Sequence, residues 1–383
     1  MKSFVRRNEN FRTKMQYIIF FILILSALIV VRGKFIELSL VFMISLTFAF
    51  DGGSADYNSY RNIYYNDAPL SFFSGDKSVE IGYQVLCRFF RDVIQINFET
   101  FWIIITVFSI LLFYLLVKRY TKNAAVVLAL FTVFPMLISA VQFRQWLSGV
   151  IVLYGIRYLE SKKIKNTLKF VAVCFLAVSI HTSALFYLCF LLPIWIDVKK
   201  ITKIAIAWVI VGGAFVRPML QVVSRYNGRV SRLLITGNRT SLTTQVSMLI
   251  LMMALCLAMK YINKKVSDST AGKILTCFDQ RCVWFVEFAF ELSIVSLFLW
   301  PFFMVTMETF RLMRIILVVE YISLSIYLLL PSKNEMDKIV RRLIEAFVVI
   351  VAVFCLYLFC IQGHYLDTVF LPLLEENRAF TWL

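Results

Sequence analysis

The sequence predicts an all-α, polytopic integral membrane protein with roughly 12 transmembrane helices. Three observations carry this. Apolar residues make up 60% of the chain, and mean hydropathy is +0.79. Charged residues are 16%, against roughly 25% in an ordinary soluble domain. The apolar runs approach the ~20 residues that a helix needs to cross the hydrocarbon core, and no polar stretch between them is long enough for a separate soluble domain. Residues 1–383 therefore read as one membrane domain.

In chain order the spans fall near 16–31, 35–50, 99–117, 124–141, 146–160, 167–181, 182–196, 203–222, 243–262, 283–306, 310–330 and 343–361. The basic stretch before the first span resembles a signal-peptide n-region. Val31-Arg32-Gly33-Lys34 offers no small-residue cleavage pattern, so the run reads as retained. Lys118-Arg119 with Lys122, Lys162-Lys163 with Lys165, Lys199-Lys200, Lys264-Lys265 and Lys333 through Arg342 all fall on one side if every span crosses. The positive-inside rule makes that side cytoplasmic. The basic N-terminus then lies outside, so either the rule fails there or one early run does not cross.

The opposite, outer face receives two distinctive segments. Residues 51–98 are polar and end in an interfacial helix over 84–96, with Val85, Leu86, Phe89, Phe90 and Val93 on one stripe and Gln84, Arg88, Arg91, Asp92 and Gln95 on the other. The second is the loop 223–242. With the helix end before it, it carries Arg217, Arg225, Arg229, Arg232 and Arg239 and no acidic residue, against the positive-inside rule. A cationic loop on that face suggests an anionic ligand.

Net charge is +17, mostly from short loops, where topology signalling and anionic lipid account for it. No basic face stands clear of the membrane, which argues against nucleic acid. Most cysteines sit within apolar runs as small hydrophobes, and Cys277 and Cys282 fall in an expected cytoplasmic loop where disulfides are rare. His181 and His364 make no ligand cluster, and no metal-site spacing occurs.

Four outer-face groups could carry chemistry. Asp56 with Tyr57 and Tyr60 forms a D-Y-x-x-Y cluster, with Asp51, Asp67, Asp76 and Glu80 in the same segment. Rings beside carboxylates suit sugars, and they also suit an interfacial aromatic belt. Gln142, Arg144 and Gln145 open a span; Arg144 reads as a snorkelling anchor or as a pyrophosphate contact, since guanidinium binds phosphate bidentately. His181 separates two apolar runs with almost no loop, and fits a general base, a phosphate donor or a histidine bonded to a backbone carbonyl. Glu308, Arg311 and Arg314 share a helical face, as a local ion pair with one more arginine or as part of an anion site. An anion that stays at the outer membrane surface is most simply a lipid pyrophosphate.

DYNSY, the glutamate of VEIGYQVL, QFRQWLSGVIVLYGIRYLESKKIKNTLKFVAVCFLAVSIHTSALFYL and the later FRLMR together resemble the EpsG/Wzy group of bacterial polysaccharide polymerases, over roughly residues 50–200 plus 310–314. The matching positions are Asp56, Tyr57, Tyr60, Arg144, Lys162 and His181 with Ser183. The resemblance implies a GT-C-like helical fold in the bacterial inner membrane. It implies a glycosyltransferase of O-antigen or exopolysaccharide that uses undecaprenyl-pyrophosphate-linked oligosaccharide as donor and acceptor, alongside a chain-length-determining partner. The group often has Gly-x-Asp before the tyrosines; here the order is Gly52-Gly53-Ser54-Ala55-Asp56.

On this reading Arg144, Arg311, Arg314 and the arginines 225–239 stabilise the departing pyrophosphate, while His181, Glu80 and Asp56 compete as general base. Tyr57, Tyr60 and Gln142 would bind sugar. No dedicated nucleophile and no Asp-x-Asp pair stands out, so the transfer reads as inverting and metal-independent, without a cofactor. An O-antigen ligase is the nearest rival, but lacks here the larger late outer loop. A flippase would carry its charges deep in a central cavity, and an acyltransferase would place its chemistry at a cytoplasmic entry.

Overall fold

The computed structural model describes residues 2–29, 33–66, 70–71, 79–225, 241–271, 273, 276–332, 334–361, 366 and 371–381. Helix accounts for 86% of the described residues. The β structure among the described residues is a two-residue parallel bridge, Leu70–Ser71 against Val79–Glu80, with Leu70 opposite Val79 and Ser71 opposite Glu80. Five helical stretches among the described residues are long and apolar enough to cross a membrane: Phe98–Tyr120, Val198–Ser224, Leu242–Thr270, Phe278–Phe303 and Glu335–Phe359. Shorter apolar helices occupy Gln16–Ile29, Ala124–Val133 and Thr182–Trp195.

Each of the five long elements starts on a side chain that accepts a backbone N–H of its first turn. Asn97 takes Thr100 N at 2.9 Å, Asp197 takes Lys199 N at 2.8 Å and Ser241 takes Thr244 N at 3.2 Å. Thr276 and Asp279 form a reciprocal capping box, and Asn334 takes Asp337 N at 2.8 Å. Such caps contribute about 1 kcal/mol each and fix where each helix starts. Beyond the caps the helices turn apolar side chains outward. Val198–Ser224 exposes Ile204, Ile206, Ile210, Val211 and Phe215, as a lipid-facing surface does.

The chain divides into two compact units, one of residues 1–68, 82–150 and 331–383, the other of residues 69–81 and 151–330. The first is built round Ala124–Val133, which is buried on all sides, every residue from Ala124 to Phe131 being at most 2% exposed. A helix apolar all round belongs at the centre of a bundle. Lys34–Ala49 and Phe98–Tyr120 pack beside it. They are tied at one end by Lys118 Nζ to Glu37 Oε1 at 2.9 Å and by Tyr114, whose hydroxyl donates to the same carboxylate. Aromatic rings fill the rest of this core. Trp146 lies 4.8 Å from Phe131, 5.3 Å from Phe113 and 6.1 Å from Phe48 between ring centres.

In the second unit the central element is Phe310–Leu328, buried from Met313 to Leu328, with Leu242–Thr270 and Cys277–Ser296 against it. It carries Arg314, Glu320, Ser323 and Ser325 into that interior, and neither carboxylate oxygen of Glu320 has a hydrogen-bond partner among the described residues. Val198–Ser224 approaches the turn at Pro301 through Gly212. A Cβ there would fall 2.8 Å from Pro301 Cγ, so only glycine allows this approach.

Three expectations are corrected. Residues 124–141 do not form one continuous helix. Pro135 has no N–H and disfavours helix in the residue before it, so the chain breaks into Ala124–Val133 and Met136–Val141. Residues 182–196 are mainly a 3₁₀-helix, Thr182–Leu191, which rises about 2.0 Å per residue and so spans more depth than an α-helix of equal length. The 84–96 helix is α only over Ile81–Arg88, followed by a π-turn at Phe89–Val93. Its stripe of Val85, Phe89 and Val93 points outward, while Tyr83, Gln84 and Cys87 are buried.

The Glu37 carboxylate is the buried member of its pair, whereas Lys118 keeps a third of its side chain exposed. Lys118→Met leaves a buried charge with the tyrosine alone, while Glu37→Gln leaves a lysine that reaches water. In detergent, Lys118→Met is expected to lower the unfolding midpoint more than Glu37→Gln. Equal or reversed losses would contradict this account of the pair.

Candidate active site

In the second unit Glu80 sits at the end of the parallel bridge, immediately before the helix Ile81–Arg88 begins, and is 0% exposed. The helix Ile164–Ile180 stops at His181, whose backbone is extended (φ −155°, ψ 124°). His181 then caps the 3₁₀-helix that follows. The Ser183 N–H donates to its Nδ1 at 3.2 Å, and the Ser183 hydroxyl lies 2.8 Å from the same nitrogen. Between them Thr182 donates both its N–H and its hydroxyl to Glu80 Oε1, each at 3.3 Å. A carboxylate and an imidazole 101 positions apart in sequence are thus brought to one turn by the threonine between His181 and Ser183.

The cap also settles the ring's chemistry. Nδ1 accepts a backbone N–H, so the neutral imidazole carries its proton on Nε2. Nε2 is then a hydrogen-bond donor, suited to an oxygen of a phosphate or a sugar.

The same unit holds the later arginines. Arg311 is ion-paired with Glu308, as the spacing suggested, and Glu308 N donates to Thr306 Oγ1 at 3.2 Å. Arg314 is 3% exposed, with its Nε donating to Arg311 O at 3.2 Å. The Tyr187 hydroxyl donates to Leu312 O at 3.4 Å, which fixes the 3₁₀-helix against the head of Phe310–Leu328. Arg217 and Arg225 are exposed on the last two turns of Val198–Ser224 and at its C-cap. Arg229, Arg232 and Arg239 lie outside the described residues, as do Asp67, Asp76 and His364.

In the first unit the D-Y-x-x-Y cluster forms the start of the helix Tyr57–Tyr65. Asp56 is its N-cap residue, and its carbonyl accepts Tyr60 N at 3.0 Å. Tyr57 and Tyr60 are each 5% exposed. Tyr60 stacks on Trp102 at 5.3 Å and Tyr57 meets the same indole edge-on at 5.7 Å. The rings expected to face a sugar are therefore spent on packing, because Trp102 draws both inward. Their hydroxyls are engaged too: Tyr60 donates to Val141 O at 3.2 Å, and Tyr57 accepts from Arg378 Nη2 at 2.8 Å.

Gln142 is half-buried at the joint between Met136–Val141 and Phe143–Gly155. Arg144 follows on the first turn of the second helix. Its guanidinium carbon lies 6.0 Å from the centre of the Tyr60 ring and 5.6 Å from that of Tyr83. Two aromatic rings thus hold the guanidinium by cation–π attraction. Burial pushes the Tyr60 and Tyr83 phenols above their ordinary range, so both remain neutral donors beside the cation.

Asp51 anchors the loop before this helix. It is 1% exposed, and its Oδ1 accepts Ser54 N at 2.9 Å and Gly53 N at 3.2 Å, while the Ser54 hydroxyl donates to Oδ2. Burial nevertheless raises its pKa from 3.8 to about 6, against the opposing pull of those bonds and of Arg378. Thr182, Tyr83 and Arg378 were not singled out from the sequence. Thr182 stood inside a noted motif and Tyr83 three residues past Glu80; Arg378 carried no local signal.

A carboxyl whose folded pKa is raised favours the folded state while protonated. That contribution is complete below 3.8 and is lost as pH rises through about 6. Asp51→Asn lacks this dependence. The difference in unfolding midpoint between the parent protein and Asp51→Asn is expected to shift in favour of the variant across that interval. A difference independent of pH would rule the assignment out.

The EpsG family model matches residues 34–372 of the chain. No curated protein and no solved structure matches it.

Proposed function

The chain belongs to the EpsG family of Wzy-like polysaccharide polymerases, and from that premise we propose that it transfers a growing glycan from undecaprenyl pyrophosphate to the non-reducing end of a lipid-linked repeat unit. The reaction runs at the outer face of the bacterial inner membrane, in a GT-C-like bundle of roughly 12 spans. The observation that carries the reading is the double hydrogen bond from Thr182 to Glu80, which sets a carboxylate beside the His181 turn.

Glu80 is the general base for the acceptor hydroxyl, and its link to Thr182 keeps one oxygen aimed. His181 donates from Nε2 to an oxygen of the substrate. The acceptor oxygen bonds to the anomeric carbon as the bond to pyrophosphate breaks. The proton goes to Glu80 and the electron pair leaves on the phosphate oxygen. The anomeric centre inverts, since one displacement occurs. Arg144, whose guanidinium carbon lies 6.0 and 5.6 Å from the Tyr60 and Tyr83 ring centres, stabilises the departing diphosphate, since guanidinium binds phosphate oxygens bidentately. Arg314, Arg311 and the arginines from Arg225 to Arg239 add positive potential for the same headgroup.

The test is reconstitution in proteoliposomes with a defined undecaprenyl-pyrophosphate repeat unit. A ladder of products is expected. Arg144→Ala should insert normally and lose about 100- to 1000-fold in rate. Glu80→Gln should lose about 100-fold or more, with Thr182→Val intermediate. Translocation of the lipid without new glycosidic bonds would make the protein a flippase. Transfer of finished glycan to lipid A core would make it a ligase. A normal ladder from Arg144→Ala would remove that residue from the mechanism.

A further inference from the structure

The end of the chain closes over the loop that leads into the D-Y-x-x-Y helix. Arg378 N donates to Phe50 O at 2.9 Å, and its Nη2 donates both to Asp51 O at 3.1 Å and to the Tyr57 hydroxyl at 2.8 Å. Its guanidinium carbon also lies 5.4 Å from the Tyr57 ring centre. Next to it, Asn377 is 0% exposed and donates to Thr47 O at 3.1 Å. One arginine and one asparagine thus satisfy carbonyls where Lys34–Ala49 ends and the loop begins.

The loop is shaped to admit this segment. A Cβ on Gly53 would fall 2.7 Å from Pro372 O and 2.6 Å from Glu376 Oε2, and one on Gly52 would fall 3.3 Å from Glu376 O. Two of these neighbours are backbone oxygens, which cannot swing aside as a side chain can. The double glycine before Ser54 and Asp56 is therefore the footprint of the chain's own C-terminal segment.

The contacts continue inward. Tyr57 and Tyr60 share Trp102 as a ring partner, at 5.7 and 5.3 Å, and Tyr60 lies under Arg144. We propose that residues 371–381 are a clasp on the Gly52-Gly53 turn, and that Arg378 is a positioning residue which orients the helix Tyr57–Tyr65 and, through Tyr60, the Arg144 guanidinium. The last link rests on the reading of Arg144 as the pyrophosphate contact; the clasp itself does not.

The test uses the full-length protein in lipid nanodiscs. Amide hydrogen exchange over residues 57–65 is compared among the parent, Arg378→Ala, Arg378→Lys, Tyr57→Phe and the double variant Arg378→Ala/Tyr57→Phe. Loss of a charge-assisted hydrogen bond predicts at least about tenfold faster exchange there in Arg378→Ala. Arg378→Lys should fall between, since lysine keeps the charge without the fork. The double variant should be no worse than its worse parent, because both remove one contact. Exchange over 310–328 should stay as in the parent. Unchanged exchange at 57–65, equal loss at 310–328 or additive losses would each overturn the clasp. Should Arg378→Ala fail to fold, Tyr57→Phe with Arg378→Lys decides by the same criteria.

A second arm measures binding of undecaprenyl pyrophosphate to the same nanodiscs. Weaker binding by Arg378→Ala, about tenfold, is expected if the clasp acts through to Arg144. Local loosening with unaltered affinity would overturn the link to Arg144 and leave the clasp. A parent protein that binds no pyrophosphate lipid, yet shows the exchange pattern, would sink the functional reading and leave the clasp standing.

Discussion

Hydrocarbon offers a polar group no water, so a partner on the chain itself stabilises a polar group in its apolar part. The indole N–H groups show how far that demand organises the fold. Trp102 donates to Phe48 O at 2.9 Å and Trp146 to Ser109 Oγ at 3.1 Å. Trp208 donates to Phe298 O at 2.9 Å and Trp300 to Gln245 O at 3.2 Å. Each bond joins segments distant in sequence and accepts only one relative placement. The small hydroxyls obey the same rule locally. Thr47, Thr106, Thr132 and Ser325 return their protons to carbonyls three or four residues back.

This demand also explains the form of the candidate site. A helix that ends inside the protein leaves backbone groups that need partners. Where Ile164–Ile180 ends and the 3₁₀-helix begins, Glu80 takes the Thr182 N–H and the His181 ring takes that of Ser183. The His181 ring and the Glu80 carboxylate together close the helix break. Around Arg144 the solution is aromatic: Trp102 aligns Tyr57 and Tyr60, and the stacked ring supports the cation.

Much of this was legible in the sequence, and the exceptions have physical causes. Long apolar runs located the five long helices, while their caps, Asn97, Asp197, Ser241, Thr276 and Asn334, were seen only in the structure. The pair Glu308–Arg311 followed from helical spacing. The break at Pro135 was legible too but was outweighed by the apolar character on both sides. The 3₁₀ form of Thr182–Leu191 was not legible, since its residues favour an α-helix equally. Tyr57 and Tyr60 read as surface rings because their segment is polar; Trp102, 42 residues beyond Tyr60, decides otherwise. Arg378 acts on residues more than 320 positions earlier, and no local pattern encodes such a contact.

The central helix of the second unit has a consequence for biogenesis. Phe310–Leu328 carries Arg311, Arg314 and Glu320 in 19 residues, with Glu320 near its middle. A charged side chain at the centre of an isolated span opposes translocon insertion by about 2.5–3.5 kcal/mol. The segment is therefore a poor candidate to enter the bilayer alone. Its surroundings, Leu242–Thr270 and Cys277–Ser296, precede it in synthesis and supply the environment that its buried face requires. Synthesis therefore delivers this charge-bearing helix only after the neighbours that shelter it.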